Sequence, residues 1–361
     1  MINVTKSYFP DRGKLDKYID RVYESGWMTN NGQLVQELEQ RLKDFLGVEY
    51  LVLVANGTLA LQVAYRVLEL SGDVITTPFS FVATTNSLIW ENLNPVFSDI
   101  DPGSFNLDPH LIERSITPET TAVLPVHVFG NACDVDMLDV VCKRNNLKLI
   151  YDAAHAFNVS SSDQNVLKYG DASILSFHAT KIFHTIEGGA IIFKNEDHYR
   201  KAKLLINFGI SGYDKVDLPG INCKMNEFQA AMGLAVLDDF EQISLDRRKV
   251  WERYSDALAG KAQIRLQDLN KEFKNNYSYF PVVFSSEAHL LYIRQRLNEH
   301  DIQPRRYFYP SLNKLEYLKH SNSCTVSEKI AESILCLPIF PGLDEKIQNE
   351  IIQIVSENYI Q

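Results

Sequence analysis

The segment best equipped for chemistry is SFHATKIFHTIEGG, Ser176 to Gly189, where Lys181 stands between a β-rich run and a glycine pair. A lysine amine attacks a carbonyl only once it has shed its proton, and partial burial beside aromatic side chains favours the neutral form. Asp152 closes the apolar run of LKLIYDAAHA, with His155 shortly after it. A carboxylate there could face a pyridine nitrogen and hold its proton, which keeps such a ring a good electron sink. His155 could hydrogen-bond to or pack beside the same ring. Asn56-Gly57-Thr58 falls where LVLVAN hands over to LALQVAYRVL. Backbone N–H groups, the helix dipole and the Thr58 hydroxyl at that junction make an anion site suited to a phosphate. Ser176 offers a second hydroxyl to the same phosphate, and Phe81, in TTPFSFVATTN, could stack on a ring.

Each feature alone has an ordinary explanation. Lys181 could be a solvated charge near a turn, Asp152 and Thr58 helix caps, His155 a satisfied core histidine and Phe81 core packing. Their order along the chain is what gives them joint meaning, and that order needs a scaffold that gathers strand ends. From about Tyr50 to about Lys194, β-rich runs alternate with helical patterns: YLVLVAN, DVITTP, PVFSDI, AVLPVHV, LKLIYDAA, ASILSFH and AIIFK are the strand candidates. The pattern predicts an α/β fold with helices on both faces of a mostly parallel sheet. Ligands of such sheets bind at the carboxyl ends of the strands, where Asp99, His127 and Asp152 fall. After Asn222 the spacing predicts one long helix through MNEFQAAMGLAVLDDFEQISLDRRKVWERYSDAL, bridging two domains. From about Gln263, YSYFPVVF reads as a strand and HLLYIRQRLNEH and EKIQNEIIQIV as helices. The expected division is residues 1–240, a large domain that includes the N-terminal segment, and residues 241–361, a smaller α+β domain.

The whole chain narrows the function classes. Its 361 residues, 45% hydrophobic, can bury two cores. A formal charge of -10, from 46 acidic and 36 basic residues that are interspersed, disfavours nucleic-acid binding. The apolar runs fall short of the ~20 residues of a membrane helix, and the charged start lacks a secretory signal, so a cytoplasmic location is expected. The five cysteines are scattered and never spaced as zinc ligands, so they are expected to be reduced, mostly buried thiols, with no metal site.

With those features in order, the sequence resembles the DegT/DnrJ/EryC/StrS sugar aminotransferases, which have the fold type I architecture. The likeness runs through ESGWMTNNGQLVQELEQRLKDFLGV, NGTLAL, TTPFSFVATTNSLIW, PVFSDIDPGSFNLD, VLPVHVFGNACDVD, YDAAHAF, LSFHATKIFHTIEGGA and GINCKMNEFQAAMGL. It implies pyridoxal 5'-phosphate carried by Lys181, with Asp152 on its ring nitrogen, Phe81 and His155 at its ring, and Gly57, Thr58 and Ser176 at its phosphate. The motif Gly220-Ile221-Asn222-Cys223-Lys224 implies that Asn222 reaches the phosphate of a neighbouring subunit, hence a homodimer with shared sites. Lys224 stands where the family more often has arginine, a change that loses a bidentate fork. Trp27, Met28, Thr29, Lys224 and Tyr309 become the candidates for substrate binding.

The resemblance of WMTNNG, SFHATK-x-F, EGGA and NYSYFP to one branch implies transfer of the amino group of L-glutamate to dTDP-4-dehydro-6-deoxyglucose. The products would be dTDP-4-amino-4,6-dideoxyglucose and 2-oxoglutarate, for O-antigen lipopolysaccharide or another surface glycan. The alternatives are a 3-keto sugar nucleotide aminotransferase, a sugar dehydratase of the same family, and a non-catalytic regulatory protein. The dehydratases carry histidine in place of the lysine, so Lys181 speaks against that choice.

Overall fold

The computed structural model describes residues 1–318 and 322–359. The seven apolar runs form one sheet: β1 Tyr50–Val54, β2 Asp73–Thr76, β3 Asn94–Phe97, β4 Thr120–Leu124, β5 Lys148–Asp152, β6 Ala172–Ser176 and β7 Gly189–Phe193. Their order across the sheet is β1-β7-β6-β5-β4-β2-β3. Only β7 runs against its neighbours, pairing antiparallel with both β1 and β6. The reason lies in the connection: no helix intervenes between β6 and β7, so the chain turns back directly instead of crossing over. Lys181 rides on that returning loop.

Helices cover both faces. They are α1 Arg12–Ser25, α2 Gln33–Leu46, α3 Gly57–Val67, α4 Val82–Trp90, α5 Val135–Arg144, α6 Glu196–Leu205, α7 Glu227–Asp238 and α8 Phe240–Leu258. Strand alternation feeds the two faces separately, as β1 shows. Its Leu51 and Leu53 join a core with Leu38 of α2, Leu138 of α5 and Leu234 of α7. Its Val52 and Val54 join another with Leu61 of α3, Leu88 of α4 and Ala202 of α6. Helix α7 is apolar almost all round and correspondingly buried. Its Glu227, also buried, accepts the backbone N–H groups of Leu34 (2.8 Å) and Val35 (3.0 Å), capping α2, whose own Gly32 has no side chain to do so.

The single long helix expected after Asn222 is two helices. Asp239 separates them, its carboxylate taken by the Tyr8 hydroxyl at 2.9 Å and by the Lys14 ammonium. Aspartate is a weak helix former, and the N-terminal segment claims its side chain. Helix α8 still spans two cores: Phe240 and Ile243 belong to the first, whereas Val250, Tyr254 and Leu258 belong to that of the C-terminal part.

There β8 Ile264–Leu266, β9 Pro281–Phe284 and β10 Ile334–Cys336 form an antiparallel sheet in the order β8-β9-β10, with α9 Glu287–Glu299, α10 Thr325–Ser333 and α11 Glu345–Val355. The strand expected from Tyr277 begins only at Pro281. Tyr277 has φ 58°, and the buried Arg247 of α8 binds the carbonyls of Tyr277 and Ser278, which hold the preceding residues as an irregular arm. The first residues, Ile2–Asn3, pair with Ile302–Gln303, so the start of the chain lies on the C-terminal part. All five cysteines are buried free thiols. No described helix is long and apolar enough to cross a membrane.

Candidate active site

Three strand ends and two helix starts converge at the carboxyl edge of the sheet around a cavity of about 780 Å³. Gly57 and Thr58 open α3, and Asn56 caps it by accepting the N–H of Leu59 at 2.9 Å. The N–H groups of Gly57 and Thr58 therefore have no acceptor within the helix. Ser176 ends β6 directly opposite. A Cβ on Gly57 would lie 2.9 Å from the Ser176 Cβ, so only glycine lets the helix start and the strand end come together. Two hydroxyls and the first N–H groups of a helix thus share one corner, which suits a phosphate.

Asp152 ends β5 and is buried. Its Oδ2 accepts from the Thr84 hydroxyl at 2.7 Å and its Oδ1 from the Ala154 N–H at 3.1 Å. Burial raises its pKa, while those two hydrogen bonds and the charge of Lys181 work in the opposite direction. Lys181 is half-buried, and desolvation brings its pKa down to about 8 against the pull of Asp152. Its ammonium donates to the Tyr279 hydroxyl at 3.4 Å. Among the described residues Lys181 forms no ion pair, so amine and carboxylate face one cavity without neutralising each other. His155 lies parallel to Phe129 and Phe308 and accepts the Phe129 N–H on Nδ1 at 3.2 Å, which leaves Nε2 to carry the ring proton. Burial holds its pKa well below the usual histidine range.

The structure therefore brings Gly57, Thr58, Phe81, Asp152, His155, Ser176 and Lys181 around one space, Phe81 being 52% exposed at its mouth. It does not bring Trp27, Met28, Thr29, Asn222, Lys224 or Tyr309 to that space within one chain. Trp27, Met28, Thr29, Asn222 and Tyr309 are exposed, the last beneath the Arg306 guanidinium at 3.5 Å. Lys224 donates to the Asn207 side chain at 2.8 Å and borders a separate depression. Asp99 and His127 also stand apart. Asp99 accepts the N–H groups of Val326 and Ser327, capping α10, and His127 stacks on Tyr151 in the core, where burial lowers its pKa to about 3.

Sequence reasoning missed Thr84, Tyr279, Arg305 and the pair His178–Glu187, 3.6 Å apart, all on the cavity wall. Thr84 carried a signal, since it lies one helical turn beyond Phe81 in a predicted helix. Tyr279 carried none that separates it from its neighbouring tyrosines.

The arrangement fits pyridoxal phosphate: a glycine-closed phosphate corner, a buried carboxylate for a ring nitrogen and a desolvated lysine for an aldehyde. Comparison with known proteins agrees. Residues 11–356 match the DegT/DnrJ/EryC1/StrS aminotransferase family. A dTDP-4-amino-4,6-dideoxy-D-glucose transaminase of Shigella dysenteriae is 40% identical over 361 residues, covering 99% of this chain and 98% of its own. The transaminase of the same description from Escherichia coli is 37% identical over 365 residues, covering 98% of both. Among solved structures, DesI in the presence of its TDP-sugar product superposes with a TM-score of 0.92 at 32% identity, covering 98% of this chain and 92% of its own.

Proposed function

Because the chain belongs to the DegT/DnrJ/EryC1/StrS aminotransferase family, whose members use pyridoxal phosphate, we propose that it transfers the amino group of L-glutamate to carbon 4 of dTDP-4-dehydro-6-deoxyglucose. The products are then dTDP-4-amino-4,6-dideoxyglucose and 2-oxoglutarate. The observation that carries this reading is the half-buried Lys181 and the buried Asp152, facing one cavity whose far corner is closed by Gly57 against Ser176. The transaminases at 40% and 37% identity support the choice of sugar.

Bound there, pyridoxal phosphate would supply an aldehyde able to carry the amino group between donor and acceptor and a ring that serves as an electron sink. Lys181 holds the cofactor covalently at rest and, once displaced, moves the proton at the donor α-carbon or the sugar carbon 4 as base and then acid. A pKa of about 8 suits both duties near neutral pH. Asp152 keeps the ring nitrogen protonated. Thr58, Ser176 and the opening N–H groups of α3 hold the phosphate. Arg305, an exposed cation at the cavity wall resting 4.8 Å from the centre of the Tyr307 ring, is suited to an anionic group of either substrate.

The site is completed by a second copy of the chain, which contributes Asn222 to the phosphate and Lys224 to the substrate. Exposed Phe208, Ile210, Tyr213, Val216 and Ile221 beside Asn222 support such a contact, since clustered exposed apolar side chains mark interaction surfaces. Trp27, Met28, Thr29 and Tyr309 are then placed to seat the nucleotide sugar. The enzyme works in the cytoplasm, and its product feeds a surface glycan such as an O-antigen. Incubation with dTDP-4-dehydro-6-deoxyglucose and glutamate, with the product solved by NMR, tests the assignment: an equatorial amine at carbon 4 is expected. Nitrogen at carbon 3 would move the chain to the 3-keto branch, and no amine at all would remove the sugar reading.

A further inference from the structure

Behind Asp152 lies a second hydrogen bond that the reaction scheme does not use. The Thr84 hydroxyl is 2.7 Å from Asp152 Oδ2 and also 2.7 Å from the Ser80 hydroxyl. Thr84 has one proton, and a carboxylate can only accept, so that proton goes to Asp152. Ser80 must then donate to Thr84. The result is a one-way chain, Ser80 to Thr84 to Asp152, in which Ser80 is 3% exposed and Thr84 not at all. The remaining oxygen of Asp152 takes the Ala154 N–H. Each carboxylate oxygen is therefore pinned once and keeps a further lone pair for the cavity. The other titratable groups around it are Lys181 and His155 on the cavity wall and Tyr65 of α3, whose hydroxyl is bonded to Ser87.

We propose that Thr84, polarised by Ser80, is the positioning residue that fixes Asp152 in orientation and keeps it ionised as the partner of the cofactor's ring nitrogen. Burial disfavours a charged carboxylate, whereas a hydroxyl bonded to the charged form favours it. Such charge-assisted bonds are about twice as strong as neutral ones, and hydrogen bonds in a chain polarise one another in the same sense. Ser80 thus acts on Asp152 only through Thr84. The inference rests on the reading of Asp152 given above.

The test uses the full-length enzyme loaded with pyridoxal phosphate, in wild-type form and as Thr84→Val, Thr84→Ser, Ser80→Ala and the double variant Ser80→Ala/Thr84→Val. Three quantities are read: the rate at which bound cofactor is lost on dilution, its visible absorption spectrum, and kcat and KM for glutamate. Thr84→Val removes a hydrogen bond to a charged group, so cofactor loss should quicken and kcat fall, each by about 10–100-fold, with KM little changed and the absorption band shifted. Thr84→Ser should restore all three. Ser80→Ala should move them in the same direction by a smaller factor, and the double variant should match Thr84→Val, because a residue acting through another adds nothing once the intermediary is gone.

Wild-type release, spectrum and kcat in Thr84→Val would overturn the proposal, as would effects of the two substitutions that simply multiply. Should Thr84→Val not fold, Ser80→Ala decides alone, and wild-type behaviour there overturns the relay. A wild-type chain that takes up no cofactor would instead overturn the site reading, and this inference with it.

Discussion

The two halves of the site are built on different principles. Around the cofactor place, Asp152 and Ser176 stand on strand ends locked into a seven-stranded sheet, Gly57 opens a packed helix, and Lys181 sits half-buried on the loop that returns into β7. The residues proposed to seat the substrate, Trp27, Met28, Thr29 and Tyr309, lie on exposed segments, as does Asn222, proposed for a partner's phosphate corner, and Lys224 leans on Asn207 away from the cavity. The inner half is gathered almost entirely by one chain, because backbone pairing and core packing hold Asp152, Ser176 and Gly57; only its phosphate corner is proposed to take a further residue, Asn222, from a second copy. The outer half has candidates that one chain does not bring to the cavity, and that gap is what motivates the proposal of a second copy. On the proposed reading, chemistry lies in the sheet-held half and recognition in the exposed one.

The sharpest way to break this contrast is at its centre. Replacing Lys181 by Ala should lower turnover by on the order of 10⁴-fold, since the proton carrier is lost together with the covalent anchor. In the unaltered enzyme, borohydride should fix the cofactor to the peptide that holds Lys181, and a label on Lys168 or Lys194 would move the site. The outer half is probed by mixing two inactive chains, Lys181→Ala and Asn222→Ala. If Asn222 serves the partner's site, random exchange leaves about a quarter of the sites with both groups intact, so about a quarter of the activity should return. Mixed dimers that stay inactive would show that each chain serves itself.

The smallest effect concerns how dry the inner half is. With Lys181 near a pKa of about 8, its free amine is a minor species at pH 7 and dominant at pH 9. Covalent uptake of cofactor by the apoenzyme, followed by stopped-flow absorbance, should accelerate about tenfold over that span and then level off. The sign follows from the direction of the shift, because burial lowers the pKa and so frees the amine at lower pH. Continued acceleration above pH 9 would mean an ordinary solvated lysine.

The seven strands were legible because each is an apolar run ended by polar or small residues, and the inner site because its members sit where those runs stop. The direction of β7 was not legible, for it depends on the missing helix between Ser176 and Gly189 and not on the strand residues themselves. Asp239 could not be foreseen as a break, since its partners Tyr8 and Lys14 come from the opposite end of the chain. The late start of β9 has the same origin: Arg247, on another element, captures the carbonyls before it. Thr84 escaped notice because its one signal, a place one helical turn beyond Phe81, does not single out a threonine until its distance to Asp152 is known. Apart from the direction of β7, these misses are long-range side-chain contacts, which periodicity does not encode.

One such contact also bears on how the chain acquires its shape. The N-terminus of α2 is capped by Glu227, 193 residues beyond Leu34 in the chain. A charged cap of this kind contributes about 1 kcal/mol to a helix. Leu38 of α2 shares a core with Leu51 and Leu53 of the strand that follows it, but the first turn of the helix has no side-chain cap until α7 is in place. Closing so long a separation has an entropic cost, and Glu227 ties the early part of the chain to the late part once that cost is met.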